Sequence, residues 1–98
     1  MRFDLELISG DFLELDLPKS KRYLYKYFTT AIQRQFVQYY YVFGSIEHFA
    51  AHTGLRSKKR WLQILVVRYN KLESTLKKAR EEMDFDVITL IESGKYDI

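Results

Sequence analysis

Arg56-Ser57-Lys58-Lys59-Arg60 is the densest run of charge in the chain, four cations around one hydroxyl, and Gln63 follows three positions later. Cations at that density suit phosphates, while a serine and a glutamine carry the hydrogen-bonding groups that can read base edges. The wider distribution of charge points the same way. Between residues 56 and 80, nine cations (Arg56, Lys58, Lys59, Arg60, Arg68, Lys71, Lys77, Lys78 and Arg80) stand against Glu73 alone. Residues 1 to 18 are the reverse, with Arg2 against Asp4, Glu6, Asp11, Glu14 and Asp16, and the tail from Glu81 is acidic again. Such blocking marks a polyanion-binding surface between acidic flanks, against the plainer alternative of a solvated helix face.

Other chemistries find less support. His48 and His52 stand four apart on one helical face, the spacing of two ligands on a zinc helix. Glu47 precedes the first histidine instead of following it, so the metalloprotease pattern fails and no metal site is expected. The absence of cysteine removes disulfides, thiolate nucleophiles and cysteine zinc sites together. With four glycines there is no phosphate-cradling loop, and no serine or threonine stands in a nucleophile setting. Neither an enzyme nor a cofactor is expected. Tyr23, Tyr25, Tyr27 and Tyr39-Tyr40-Tyr41 carry faces on which unpaired bases could stack, although an amphipathic helix with an aromatic core and rim accounts for them more simply.

The elements that position these residues follow from hydrophobic periodicity. At 98 residues, with 47% hydrophobic and 30% charged side chains, the chain is read as one domain, 1–98, with a single small core. Phe3, Leu5 and Leu7, then Leu13, Leu15 and Leu17, alternate with polar residues around Ser9-Gly10-Asp11, which predicts a β-hairpin over 2–17 ended by Pro18. Tyr25, Phe28, Ile32, Phe36, Tyr39 and Phe43 recur at threes and fours and predict one aromatic helix over 20–43. Gly44 breaks it, and a short helix from Ile46 to Thr53 ends at Gly54. A long helix over 57–83 carries Leu62, Leu65, Tyr69, Leu72, Leu76, Ala79 and Met83, three heptads of a and d positions. Residues 84–98 suit a short helix capped by Asp84 or Asp86, or a strand beside the hairpin. The expected fold class is therefore mainly α with an N-terminal β-hairpin (α+β), around a helix-turn-helix-like core with a long third helix. Leu5, Leu15, Phe28, Ile32, Phe49, Trp61 and Leu65 are its expected core.

Within this frame residues 45–65 have the layout of two helices meeting at a turn. Ala50 is the small residue at a crossing, Gly54 the turn glycine, Leu55 the apolar plug, and Trp61, Leu62 and Leu65 the anchors of the second helix. The segment resembles the helix-turn-helix domains of small prokaryotic and phage transcription regulators. One departure is that the first inward aliphatic position of the second helix falls on Arg60, with Trp61 one residue later. The resemblance implies a DNA-binding regulator whose Arg56, Lys58, Lys59 and Arg60 hold phosphates of double-stranded DNA while Ser57 and Gln63 meet bases. The heptad stripe reads either as packing within the chain against the aromatic helix, which the poor zipper residues Tyr69 and Ala79 favour, or as the seam of a homodimer through Leu62, Leu65, Tyr69, Leu72 and Leu76, which would suit a DNA reader. The alternative is a protein-interaction module, a phage-type inhibitor or adaptor that meets a host protein through the hairpin and aromatic helix; an RNA-binding protein is the third reading. The acids among the N-terminal apolar residues argue against a signal peptide or a membrane span, so a cytoplasmic protein is expected.

Overall fold

The computed structural model describes residues 16 to 97. Its elements are all helical: a 3-10 segment at Lys19–Lys26, α1 at Ala31–Phe43, α2 at Glu47–Thr53, a 3-10 turn at Arg56–Lys58, α3 at Lys59–Glu81 and α4 at Phe85–Glu92. The expected α+β class is corrected to a helical one, because there is no strand among the described residues. Residues 2–15 of the expected hairpin lie outside the described residues. Asp16 and Leu17, at its end, form a bend and irregular coil. Leu17 is nevertheless buried, and Arg22 Nε donates to its carbonyl at 3.1 Å. Pro18 then leads directly into the 3-10 segment, its carbonyl accepting from the Lys21 amide at 2.8 Å. At the other end, the strand alternative for 84–98 is replaced by α4, whose first turn is capped by the Asp84 carboxylate accepting from the Val87 amide.

The single aromatic helix expected over 20–43 is divided in two. Thr30 takes an extended backbone and its hydroxyl accepts from the Gln33 amide at 3.2 Å, an N-cap that starts α1 afresh at Ala31. Phe28 stays in the core from the 3-10 side of the break, and Phe36, Val37 and Tyr39 fill it from α1. Ile32 is the correction to the expected core: it lies on the same face one turn before Phe36, beyond the edge of the core, and is 37% exposed. Trp61 is also only half-buried, because it sits one residue to the side of the Leu62–Leu65–Tyr69 line. Leu5 and Leu15 lie outside the described residues.

α3 is the axis of the domain. Its buried side chains are Leu62, Leu65, Tyr69, Leu72, Leu76 and Ala79, the expected stripe without Met83, which lies past the helix end at φ 56 and is exposed. Within a single chain Leu62, Leu65, Tyr69, Leu72 and Leu76 join Leu17, Tyr23, Leu24 and Phe28, the buried α1 and α2 aromatics, and Ile91 of α4 in one continuous core. Leu62, Leu65, Tyr69, Leu72 and Leu76, the residues of the alternative dimer seam, are therefore covered by the chain's own side chains. Aromatic rings knit the layers: Phe36 meets Phe49 edge-on at 5.7 Å, and Tyr40 meets Tyr69 edge-on at 4.8 Å. Tyr27 closes the far side, its hydroxyl donating to the Ile91 carbonyl at 2.8 Å and accepting from the Tyr96 amide at 3.1 Å. No helix among the described residues is long and apolar enough to cross a membrane.

Candidate functional site

α2 ends where Gly54 adopts φ 73, a left-handed conformation that glycine reaches without a Cβ penalty. Its amide bonds to the Ala50 carbonyl, as does the Leu55 amide at 3.1 Å. Leu55 then turns partly inward, and its carbonyl accepts from the Lys58 amide at 2.9 Å, closing the 3-10 turn Arg56–Lys58. α3 begins at the next residue. The expected long helix over 57–83 is shortened at both ends, to Lys59–Glu81, because this turn takes up its first residues.

Arg56, Ser57, Lys58, Lys59, Arg60 and Gln63 are all exposed. The first five are consecutive across the turn and the first turn of α3, and Gln63 is adjacent to Lys59 and Arg60 at helical spacings of four and three. Leu62 is the first fully buried side chain of α3, so the cations precede the point at which the helix enters the core. Three ion pairs occur among the described residues: Lys21 with Glu73 at 2.7 Å, Arg22 with Asp16 at 3.4 Å and Arg80 with Glu92 at 3.0 Å. None of them uses the four cations of this end.

The electrostatics run against the helix itself. The N-terminus of α3 has no acidic residue in its first turn and no side-chain cap at Lys58. A helix N-terminus carries about +0.5 of a charge and favours acids, so basic residues there are mildly destabilising. Glu73, the one acid among the nine cations between residues 56 and 80, lies thirteen residues along α3 from Arg60, in a groove it shares with Lys77 and Arg80. It accepts from Lys21 Nζ and from the Tyr23 hydroxyl. Burial, with Glu73 beside it, drives the Tyr23 hydroxyl well above the usual tyrosine range, so it donates to the carboxylate as a neutral group.

Beside the basic end lies a shallow groove of about 500 Å³, lined by Ile32, Leu55, Lys58 and Trp61. Sequence periodicity conceals this groove, because it assigns both Ile32 and Trp61 to the core. The signal that could have revealed it is that Trp61 falls off the heptad line. Conversely, three of the tyrosines with faces suited to base stacking have hydrogen-bond partners within the fold. Tyr23 binds Glu73, Tyr25 donates to Asp16 Oδ1 at 2.6 Å, and Tyr27 holds the C-terminal segment.

The two histidines are also accounted for by packing. His48 stacks on Phe43 with ring centroids 4.0 Å apart, and His52 stacks on Tyr39 at 5.7 Å, so the four-residue spacing on α2 matches a four-residue spacing on α1. Among the described residues no three His, Asp or Glu side chains gather as a metal site. The chain matches no known family, no curated protein and no solved structure. Its own geometry is thus the ground for any reading of the site.

Proposed function

We propose that the protein binds duplex DNA through the turn and first helical turn at Arg56–Arg60. The observation that supports this reading is the concentration of four exposed cations, none in an ion pair among the described residues, at the uncapped N-terminus of the longest helix, where helix stability alone disfavours them. Arg56, Lys58, Lys59 and Arg60 hold phosphates and set the register. Ser57 and Gln63 face the base edges between them.

The test is a titration of labelled duplex by fluorescence anisotropy at several salt concentrations. Replacing Lys58, Lys59 and Arg60 together by alanine is expected to reduce the slope of log K against log salt by about 0.9 for each phosphate that is no longer neutralised. The fold persists, because all three side chains are exposed. Ser57→Ala and Gln63→Ala are expected to weaken a preferred site while leaving random duplex nearly unchanged. If the triple variant binds like the wild type at every salt concentration, the basic end is an ordinary solvated surface. A second reading, a protein-interaction module, is then favoured by Tyr41, Val42 and Phe43, three consecutive residues 40 to 46% exposed at the C-terminal end of α1.

A further inference from the structure

Trp61 and the basic end adjoin each other, and together they combine the two chemistries that an unstacked nucleotide requires. The groove formed by Ile32, Leu55, Lys58 and Trp61 offers an aromatic ring and two aliphatic side chains, with one cation at its rim. Its volume, about 500 Å³, lies within the range of small-molecule pockets. The adjacent cations Arg56, Lys59 and Arg60 are exposed and take part in no ion pair among the described residues. An apolar ligand alone would leave these charges without a role, and a small anion alone would leave the aromatic floor unused. A base attached to its phosphates uses both: every base has a π-face for the indole, and the flanking phosphates complement the cations.

We infer that the groove at Trp61 receives one unpaired DNA base, so that the basic end binds a strand with an unstacked base more tightly than continuous duplex. This inference rests on the DNA reading of the same basic end and specifies its ligand. The preference is sequence-tolerant, because stacking on an indole does not depend on base-edge hydrogen bonds. It needs no movement of the core. Leu62, the next residue, remains buried while the exposed part of Trp61 accepts the base.

The chain has one tryptophan, so its fluorescence reports on this groove alone. The wild-type protein is titrated at low salt with a short oligothymidylate and with a blunt duplex, reading anisotropy of labelled DNA and tryptophan emission in parallel. Oligothymidylate is expected to quench the emission saturably, with quenching reversed by salt, and the duplex to leave it nearly unchanged. Trp61→Leu is expected to weaken oligothymidylate binding roughly 5- to 150-fold, the range of base–aromatic stacking, with duplex affinity maintained. Trp61→Phe, which keeps an aromatic face, is expected to retain most of the affinity and shows whether a loss in the leucine variant reflects stacking or misfolding. Anisotropy that rises while emission stays constant overturns the inference and leaves the basic-end reading standing. No anisotropy change with either DNA overturns both. An emission shift with phosphatidylserine vesicles, and none with oligothymidylate, overturns it in favour of a lipid surface.

Discussion

Removing Glu73 is expected to destabilise the fold through a hydroxyl on another segment. Tyr23 is 6% exposed and donates its proton to Glu73, fifty residues away in sequence, while Lys21 pairs with the other carboxylate oxygen at 2.7 Å. In Glu73→Ala the Tyr23 hydroxyl stays buried without this acceptor, a loss of about 1 to 3 kcal/mol. The Lys21 pair adds little. Its side chains are 27% and 24% exposed, and pairs open to solvent contribute roughly 0 to 1 kcal/mol. The hydroxyl therefore dominates. Glu73→Gln keeps an acceptor for Tyr23 and should lose about 1 kcal/mol. Tyr23→Phe leaves Glu73 with Lys21 and water, for a similar loss. Since the alanine variant harms the fold mainly by orphaning Tyr23, combining it with Tyr23→Phe should cost less than the sum, with a coupling of about 1 to 2 kcal/mol. Urea denaturation followed by circular dichroism measures this. With a slope of about 1 kcal/mol per molar for a small domain, Glu73→Ala should lower the midpoint by about 1 to 3 M. An unchanged midpoint in Glu73→Ala, or strict additivity in the cycle, would refute the reasoning.

Gly54 and Gly94 both have positive φ, 73 and 81, but a Cβ at Gly54 meets nothing within 4 Å while one at Gly94 comes 2.8 Å from Lys26 Cβ. Gly54→Ala should thus show only the backbone penalty of about 1 to 2 kcal/mol, and Gly94→Ala a larger loss, measured as the difference in denaturation midpoint. Leu72→Asp should unfold the protein, because Leu72 is fully buried within one chain; a folded monomer by light scattering and circular dichroism would instead restore the dimer seam. Burial pushes Tyr39 up to about 12, from an ordinary value of 10.0, and raises Tyr69 and Tyr23 further. Folding favours the protonated hydroxyls, so their stabilisation is complete below pH 10 and is lost as pH rises through the folded values. The melting temperature should fall steeply only above pH 10, with tyrosinate absorbance rising in two stages.

The stripe of α3 was legible because each leucine and the tyrosine recur at threes and fours and every one meets a neighbour, so periodicity and burial coincide from Leu62 to Ala79. The break at Thr30 was hidden for the opposite reason. Phe28 keeps its place in the 3-4 series across it, and only the Thr30 hydroxyl on the Gln33 amide reveals a new helix start. Ile32 and Trp61 show a different limit. Periodicity gives the direction of a side chain but not how far the core extends along the helix, and both stand at its margin. The six exposed residues of the basic end were legible as a group, since charge density marks solvent exposure without any fold. The sequestering of Glu73 was not, because Lys21 and Tyr23 reach it from distant positions that no local pattern connects.

The placement of Leu62 has a kinetic consequence. From Leu62 onward α3 is held by the core, and from Leu65 onward each amide of its buried stretch bonds to a carbonyl at or beyond Trp61, so exchange there requires opening of the core. Residues 56 to 60 lie before that anchor, and their backbone can fray and re-form without disturbing a buried side chain. The charged end is thus a compliant tip on a stiff shaft. Ordering that tip on a ligand would draw its entropy cost from the binding energy alone, leaving the stability of the domain unchanged. Hydrogen exchange would record it as protection gained through residues 56 to 64, whose amides lie in or bond to the tip, against a constant background from Leu65 to Leu76.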